Sequence, residues 1–198
     1  MSYESKQSLL VRGMALATRF CEANGIKAPA VEEVPLDEWR FNTCAYYRAN
    51  VTTICVAKCS GVGFAGMLWS FPGYTVDRTP YGVVQHELGH HVDVLMSDRV
   101  GPYFGDFSQG MRERSGEAPI TSYCPDDGEW FAEMFRVFVT NPDLLLALRP
   151  RTHAEMVARL KPMFADSWRE RLAGAPDRTT LAAQRKVDAA VQRRLKAS

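Results

Sequence analysis

The stretch His86-Glu87-Leu88-Gly89-His90-His91 holds three of the four histidines in the chain and leaves only His153 elsewhere. His86 and His90 stand four apart with Glu87 beside the first, an HExxH arrangement. On a helix, residues i and i+4 lie on one face. Two imidazoles so placed can bind one metal ion, and the adjacent glutamate can reach a water next to it. Val83, Val84, Leu88, Val92, Leu95 and Met96 recur at helical spacing, and no proline falls between Tyr81 and Ser97. The competing reading is a solvated polar face, which needs charged neighbours. Instead the motif sits in Val-Val-Gln-His-Glu-Leu-Gly-His-His-Val. Burying His and Glu among valines is unfavourable unless they are paired or ligate a metal. The setting favours a metal site.

A catalytic zinc takes three protein ligands and keeps one position open. Asp93 follows His86 by seven residues on the same face, but a continuous helix carries it about 10 Å further along at ~1.5 Å per residue. No glycine or proline between His91 and Val100 would turn the chain back. The third ligand is therefore expected on a second helix. The segment from Asp126 to Val139 fits, with Pro125-Asp126-Asp127 as a start and Asn141-Pro142 as a stop. Glu129 and Glu133 are again four apart there, among Trp130, Phe131, Phe135 and Phe138. One carboxylate can ligate the metal while the other holds a ligand histidine in orientation.

These residues carry a family resemblance. HExxH followed by Glu-x-x-x-Glu on a later helix resembles the gluzincin metallopeptidases. The match is closer to the anthrax lethal factor-like peptidase domains. His86-Glu87-Leu88-Gly89-His90-His91-Val92-Asp93 is similar to their HE-x-GH-x-VD. Thr121-Ser122-Tyr123, then Glu129-Trp130-Phe131-Ala132-Glu133-Met134-Phe135-Arg136, is similar to their TSY followed by E-x-FAE-x-FR. The interval from Tyr123 to Glu129 is one residue shorter than the family pattern. The likeness spans about Tyr81 to Val139 and does not reach the first forty or last fifty residues.

The resemblance implies an α+β, zincin-like metallopeptidase fold. Its parts would be a small antiparallel or mixed sheet, an HExxH active-site helix, a second glutamate-bearing helix and a mostly helical C-terminal part. It further implies that His86, His90 and Glu129 bind Zn2+, that Glu87 activates water, and that Glu133 supports a ligand from behind. Tyr123 would steady the oxyanion. Tyr74, Tyr81, Tyr103 and His153 remain alternative donors. The expected reaction is peptide-bond hydrolysis, with Glu87 as general base and then acid. The expected partner is a peptide or protein substrate, with family analogy suggesting a bulky apolar residue after the scissile bond. His91 points about 100° away from His90 and reads as a structural or rim residue.

Two other readings compete. In one, the same fold and metal serve a structural or assembly subunit, for example of a phage particle, with little or no peptidase activity. A water-activating glutamate argues against it, because a purely structural metal needs none. In the other, two histidines and a carboxylate form a non-haem iron triad. A helical di-iron site would need a second Glu-x-x-His, and Glu87-x-x-His90 stands alone.

With 198 residues, 46% of them hydrophobic, the chain can bury one good core. A net charge of +1 gives no general reason to expect nucleic acid or a membrane surface. Leu9-Leu10-Val11 is interrupted by Arg12-Gly13 and is not expected to act as a signal peptide. No apolar run approaches membrane-span length. Five cysteines, Cys21, Cys44, Cys55, Cys59 and Cys124, form no visible disulfide framework and read as reduced core thiols, with Cys124 open to oxidation. Cys55 and Cys59, four apart, would face the same side of a strand. The expected setting is cytoplasmic, and carriage in a virion is left open.

Along the chain, residues 5–23 read as an amphipathic helix and the stretch to Glu38 as a loop. Cys44–Tyr47 and Thr52–Ala57 read as a hairpin turning at Ala49-Asn50. The glycine-rich 61–66 segment suits a rim rather than phosphate binding. Arg99 to Glu117 reads as a long loop, and Pro119–Tyr123 as a short edge strand. Helices are expected at Pro142–Leu148, Thr152–Phe164 and Asp166–Ala173. The domain organisation expected is a metallopeptidase domain over 1–175 and a basic helical extension over 176–198. From Ser167 onward eight Lys/Arg stand against three Asp/Glu, and Leu181, Val187, Val191 and Leu195 form a thin stripe. That helix suits docking on a protein partner as well as it suits a solvated tail.

Overall fold

The computed structural model describes residues 3–59, 70–71, 74–75, 77–100, 106–121, 123–124 and 126–161. The glycine-rich segment, Trp69, Tyr103, the 166–173 segment and the 176–198 extension lie outside the described residues. Among those described, the fold is mixed α+β and mostly helical, with six helices and a small three-stranded mixed sheet. In chain order these are α1 (Tyr3–Ala23), β1 (Ala30–Glu33), β2 (Ala45–Arg48), β3 (Val51–Ile54), β4 (Ser70–Phe71), β5 (Tyr74–Thr75), α2 (Pro80–Val100), α3 (Asp106–Ser115), α4 (Asp127–Thr140), α5 (Pro142–Leu148) and α6 (Pro150–Val157). No helix among the described residues is long and apolar enough to cross a membrane.

Helix α2 occupies the centre, with α1, α3, α4 and the sheet packed around it. Its apolar residues Tyr81, Val83, Val84, Leu88 and Val92 are buried, and so are Gln85, His86, Glu87, His91 and Asp93. A central helix cannot leave polar groups unpaired without cost, and four of these five reach to different neighbours. Gln85 donates to the Gly13 carbonyl of α1 at 2.9 Å. His91 sits between the Tyr47 hydroxyl at 2.9 Å and the Lys27 carbonyl at 2.7 Å. Asp93 accepts from the Ser108 backbone N–H at 2.9 Å and so holds the start of α3. His86 faces α4. The core itself is aromatic: Phe20 of α1 meets Phe135 of α4 edge to face at 5.1 Å, with Trp130, Phe131 and Phe138 fully buried alongside.

The sheet has the order β1-β3-β2, with β1 parallel and β2 antiparallel to β3. Ala49 and Asn50 both have positive φ, 49° and 68°, as a two-residue hairpin turn requires. The hairpin matches the sequence reading, but β3 stops at Ile54 and Val56–Lys58 winds into a short 3-10 turn. Four further expectations need correction. Ala30–Glu33, read as loop, is a strand, because its four residues find parallel partners on Val51–Ile54, a pairing that no local pattern announces. The expected loop from Arg99 to Glu117 contains α3, nucleated by the Asp93 contact and packed through Phe107 and Met111. Residues 119–121 and 123, read as an edge strand, adopt no strand. The Thr152–Phe164 helix starts earlier, with Pro150 in its first turn, and ends at Val157.

Candidate metal centre

The centre forms where α2 crosses α4, and Gly89 makes the crossing possible. A Cβ at Gly89 would lie 2.8 Å from Ala132 Cα and 3.3 Å from the Phe135 ring. The absence of a side chain lets the two backbones touch. His86 and His90, on either side of that contact, are thereby brought against Glu129 and Glu133. The start of α4 is fixed by Asp126, whose side chain caps the Glu129 N–H at 2.8 Å.

His86 Nε2 lies 3.1 Å from one oxygen of Glu129, and His90 Nε2 lies 3.6 Å from the other. One ligand atom from each of His86, His90 and Glu129 falls within 4.8 Å of the others, the one such group of His, Cys, Asp or Glu among the described residues. Tetrahedral ligands held ~2.0–2.2 Å from zinc stand roughly 3.3–3.6 Å apart, so the pair spacings suit a shared ion. Two imidazoles and a carboxylate are also a sound donor set for zinc, with a position left over. The residues fit a metal; the same set serves iron, so geometry names the ligands and not the element.

The two glutamates are distinguished by their surroundings. Glu133 is 1% exposed and already committed. It lies 2.9 Å from His86 Nδ1, accepts the Thr121 hydroxyl at 2.9 Å, and pairs with the Arg136 guanidinium. A carboxylate beside Nδ1 puts Nε2 toward Glu129 and His90, the way round in which a ligand imidazole is usually supported. Burial alone would raise the Glu133 carboxyl, but Arg136 and His86 bring it down to about 2. Glu129 is only part-buried and faces both Nε2 atoms.

Electrostatics separate the histidines too. Burial opposes a charge on His86, yet contacts with Glu129 and Glu133 carry it up to about 10. Burial and the neighbouring His86 push His90 down to about 4. A metal entering the site must displace the His86 proton. Glu87 is 6% exposed. Burial raises its carboxyl to about 7.

The site opens into a cleft of about 730 Å3. His86, Glu87, His90, Tyr123 and Glu129 line one side, and Tyr46, Tyr47 and Arg48 of β2 the other. Tyr123 stands with its ring 6.2 Å from that of His86. Burial, and then the carboxylates of Glu129 and Glu87, raise its phenol to about 12, so it stays a proton donor at neutral pH. Of the alternative donors, Tyr81 is wholly buried in the core and His153 packs on Phe138 at 5.8 Å. His91 faces the sheet and Asp93 faces α3, so neither joins the ligand group. Sequence reasoning assigns no role to Arg136, Tyr46 or Tyr47. A buried arginine three residues after Glu133 on an aromatic helix is the available signal for the first. Nothing local signals the tyrosines, since their position depends on strand pairing. Comparison of the chain with models of known families, with curated proteins and with solved structures gave no match.

Proposed function

We propose that the chain is a zinc-dependent endopeptidase of the gluzincin type, with a zincin-like domain over residues 1–175. The observation that carries this reading is Glu87, a buried carboxylate that lines an open cleft beside a three-residue ligand group. A structural metal site has no use for such a group, whereas a general base needs it. His86, His90 and Glu129 would hold the ion. A zinc ion there would polarise the scissile carbonyl and lower the pKa of water toward neutrality.

The chain's own residues account for the rest. Glu87 takes the proton of the attacking water and returns it to the leaving amine. Tyr123, a protonated phenol on the cleft wall, donates to the developing oxyanion. β2 is the edge of its sheet among the described residues, and an extended peptide can lie against such an edge in the manner of an added strand. That supports a polypeptide substrate over a compact small molecule.

The test is cleavage of a broad peptide library, with metal content measured on the same samples. Glu87→Gln is expected to keep its metal and fold and to lose hydrolysis by several orders of magnitude, because an amide cannot accept the proton. A wild-type protein that carries zinc and cleaves nothing would point to the assembly-subunit reading. Full activity in Glu87→Gln would rule out Glu87 as the base.

A further inference from the structure

Behind Glu87 a smaller cavity of about 250 Å3 opens, sharing His86, Glu87 and Tyr123 with the main cleft and reaching Cys44, Arg78 and Arg136. Cys44 precedes β2, and its side chain neighbours that of Cys59, which follows the 3-10 turn. The backbone draws the two segments together: the Cys55 N–H donates to the Cys44 carbonyl at 2.8 Å, and Cys59 Sγ lies 3.7 Å from the Cys55 carbonyl. Cys59 is 1% exposed, while Cys44 is only part-buried and forms cavity wall.

We propose that Cys44 and Cys59 form a peroxide-reactive thiol pair, with Cys44 the attacking sulfur and Cys59 the resolving one. The assignment rests on their proximity, on the access that the cavity gives to Cys44 alone, and on the two guanidinium groups that line that cavity with it. The neighbouring Cys59 side chain, with Arg78 and Arg136, lowers the Cys44 thiol against the effect of burial, whereas Cys59 is pushed up by its Cys44 neighbour and by burial. A thiolate on Cys44 and a thiol on Cys59 is the division of labour that such chemistry needs.

The reaction uses a hydroperoxide as oxidant. With hydrogen peroxide, the Cys44 thiolate attacks one peroxide oxygen, the O–O bond breaks, and hydroxide leaves with a sulfenic acid on Cys44. The Cys59 sulfur then attacks the sulfenic sulfur, its proton leaves with the departing hydroxyl as water, and the disulfide forms. Two thiol sulfurs lose two electrons in total and the peroxide gains them; the hydroxide takes up a solvent proton, so two waters are released. The product closes a covalent loop at the base of β2, on the wall that faces the metal centre.

The experiment is titration of the metal-loaded full chain with hydrogen peroxide, followed by alkylation of remaining thiols, proteolysis and mass spectrometry. The expected result is a Cys44–Cys59 linked peptide pair, lighter by two hydrogens, appearing before modification of Cys124 and reversed by dithiothreitol. Cys59→Ser should convert that product into over-oxidised Cys44, and Cys44→Ser should leave Cys59 reduced and slow to alkylate. Iodoacetamide given to the unoxidised wild type should label Cys44 faster than Cys59, which tests the assignment without any substitution. Preferential oxidation of Cys124, or Cys44 passing to sulfinic acid while Cys59 stays alkylatable on unfolding, would overturn the proposal. None of these readouts depends on peptidase activity.

Discussion

The two walls of the cleft are built by different means. On one side α2 and α4 meet backbone to backbone at Gly89 and Ala132, and the polar groups at the crossing are committed: His86 to Glu129 and Glu133, Glu133 to Arg136 and Thr121. On the other side β2 is a four-residue strand whose side chains are mostly half-buried or exposed, tied to α2 through Tyr47 and His91. The first wall is preorganised to hold a charge in fixed geometry, which costs least when the supporting groups are already in place. The second wall is a more exposed surface, available for contact.

Breaking the helix wall should have the larger consequences. Arg136→Met removes the guanidinium from a Glu133 that stays buried, a change expected to cost about 3–5 kcal/mol, read as a lowered midpoint in denaturant. The same pair predicts an acid transition. A carboxyl held down to about 2 contributes stability that is complete above the ordinary glutamate value of ~4.3 and fades as pH falls through about 2. Glu133→Gln should flatten the stability curve in that window. Gly89→Ala is milder but more pointed, since its Cβ meets backbone and the helices must part. It should cost about 1–3 kcal/mol and weaken metal binding as well, measured by chelator competition. The sheet wall should respond least. Tyr47→Phe loses the hydroxyl's contacts with His91 and Asn50, about 1–2 kcal/mol, with metal affinity unchanged. If Tyr47→Phe weakened metal binding as much as Gly89→Ala, the division between the walls would be wrong.

Legibility in the sequence follows the same division. The helix wall can be read because helical periodicity is local: His86 to His90 and Glu129 to Glu133 declare shared faces within five residues, and Asp126 and Asn141 mark the ends of α4. The hairpin is readable because Ala49-Asn50 sits between two β-rich runs. What stays hidden depends on distant partners. β1 exists only because Val51–Ile54 lies beside it, and α3 begins where Asp93 accepts an N–H from Ser108, fifteen residues further along the chain. Part of the evidence that separates Glu129 from Glu133 is likewise beyond periodicity, since Thr121, which bonds Glu133, comes from outside the helix. The Cys44–Cys59 pair is hidden for the same reason, its contact being made by a turn after the strand rather than by alternation along it.

Whether His86, His90 and Glu129 hold one ion, with Glu133 behind them, is decided by metal quantification on purified wild type, His86→Ala, His90→Ala, Glu129→Ala and Glu133→Ala, each checked for folding by circular dichroism. About one zinc per wild-type chain is expected, with most of it lost in the first three variants. Glu133→Ala should keep a weaker but measurable affinity, about 10–100-fold down. A Glu129→Ala protein that kept its full zinc while Glu133→Ala lost it would overturn this assignment of the ligands.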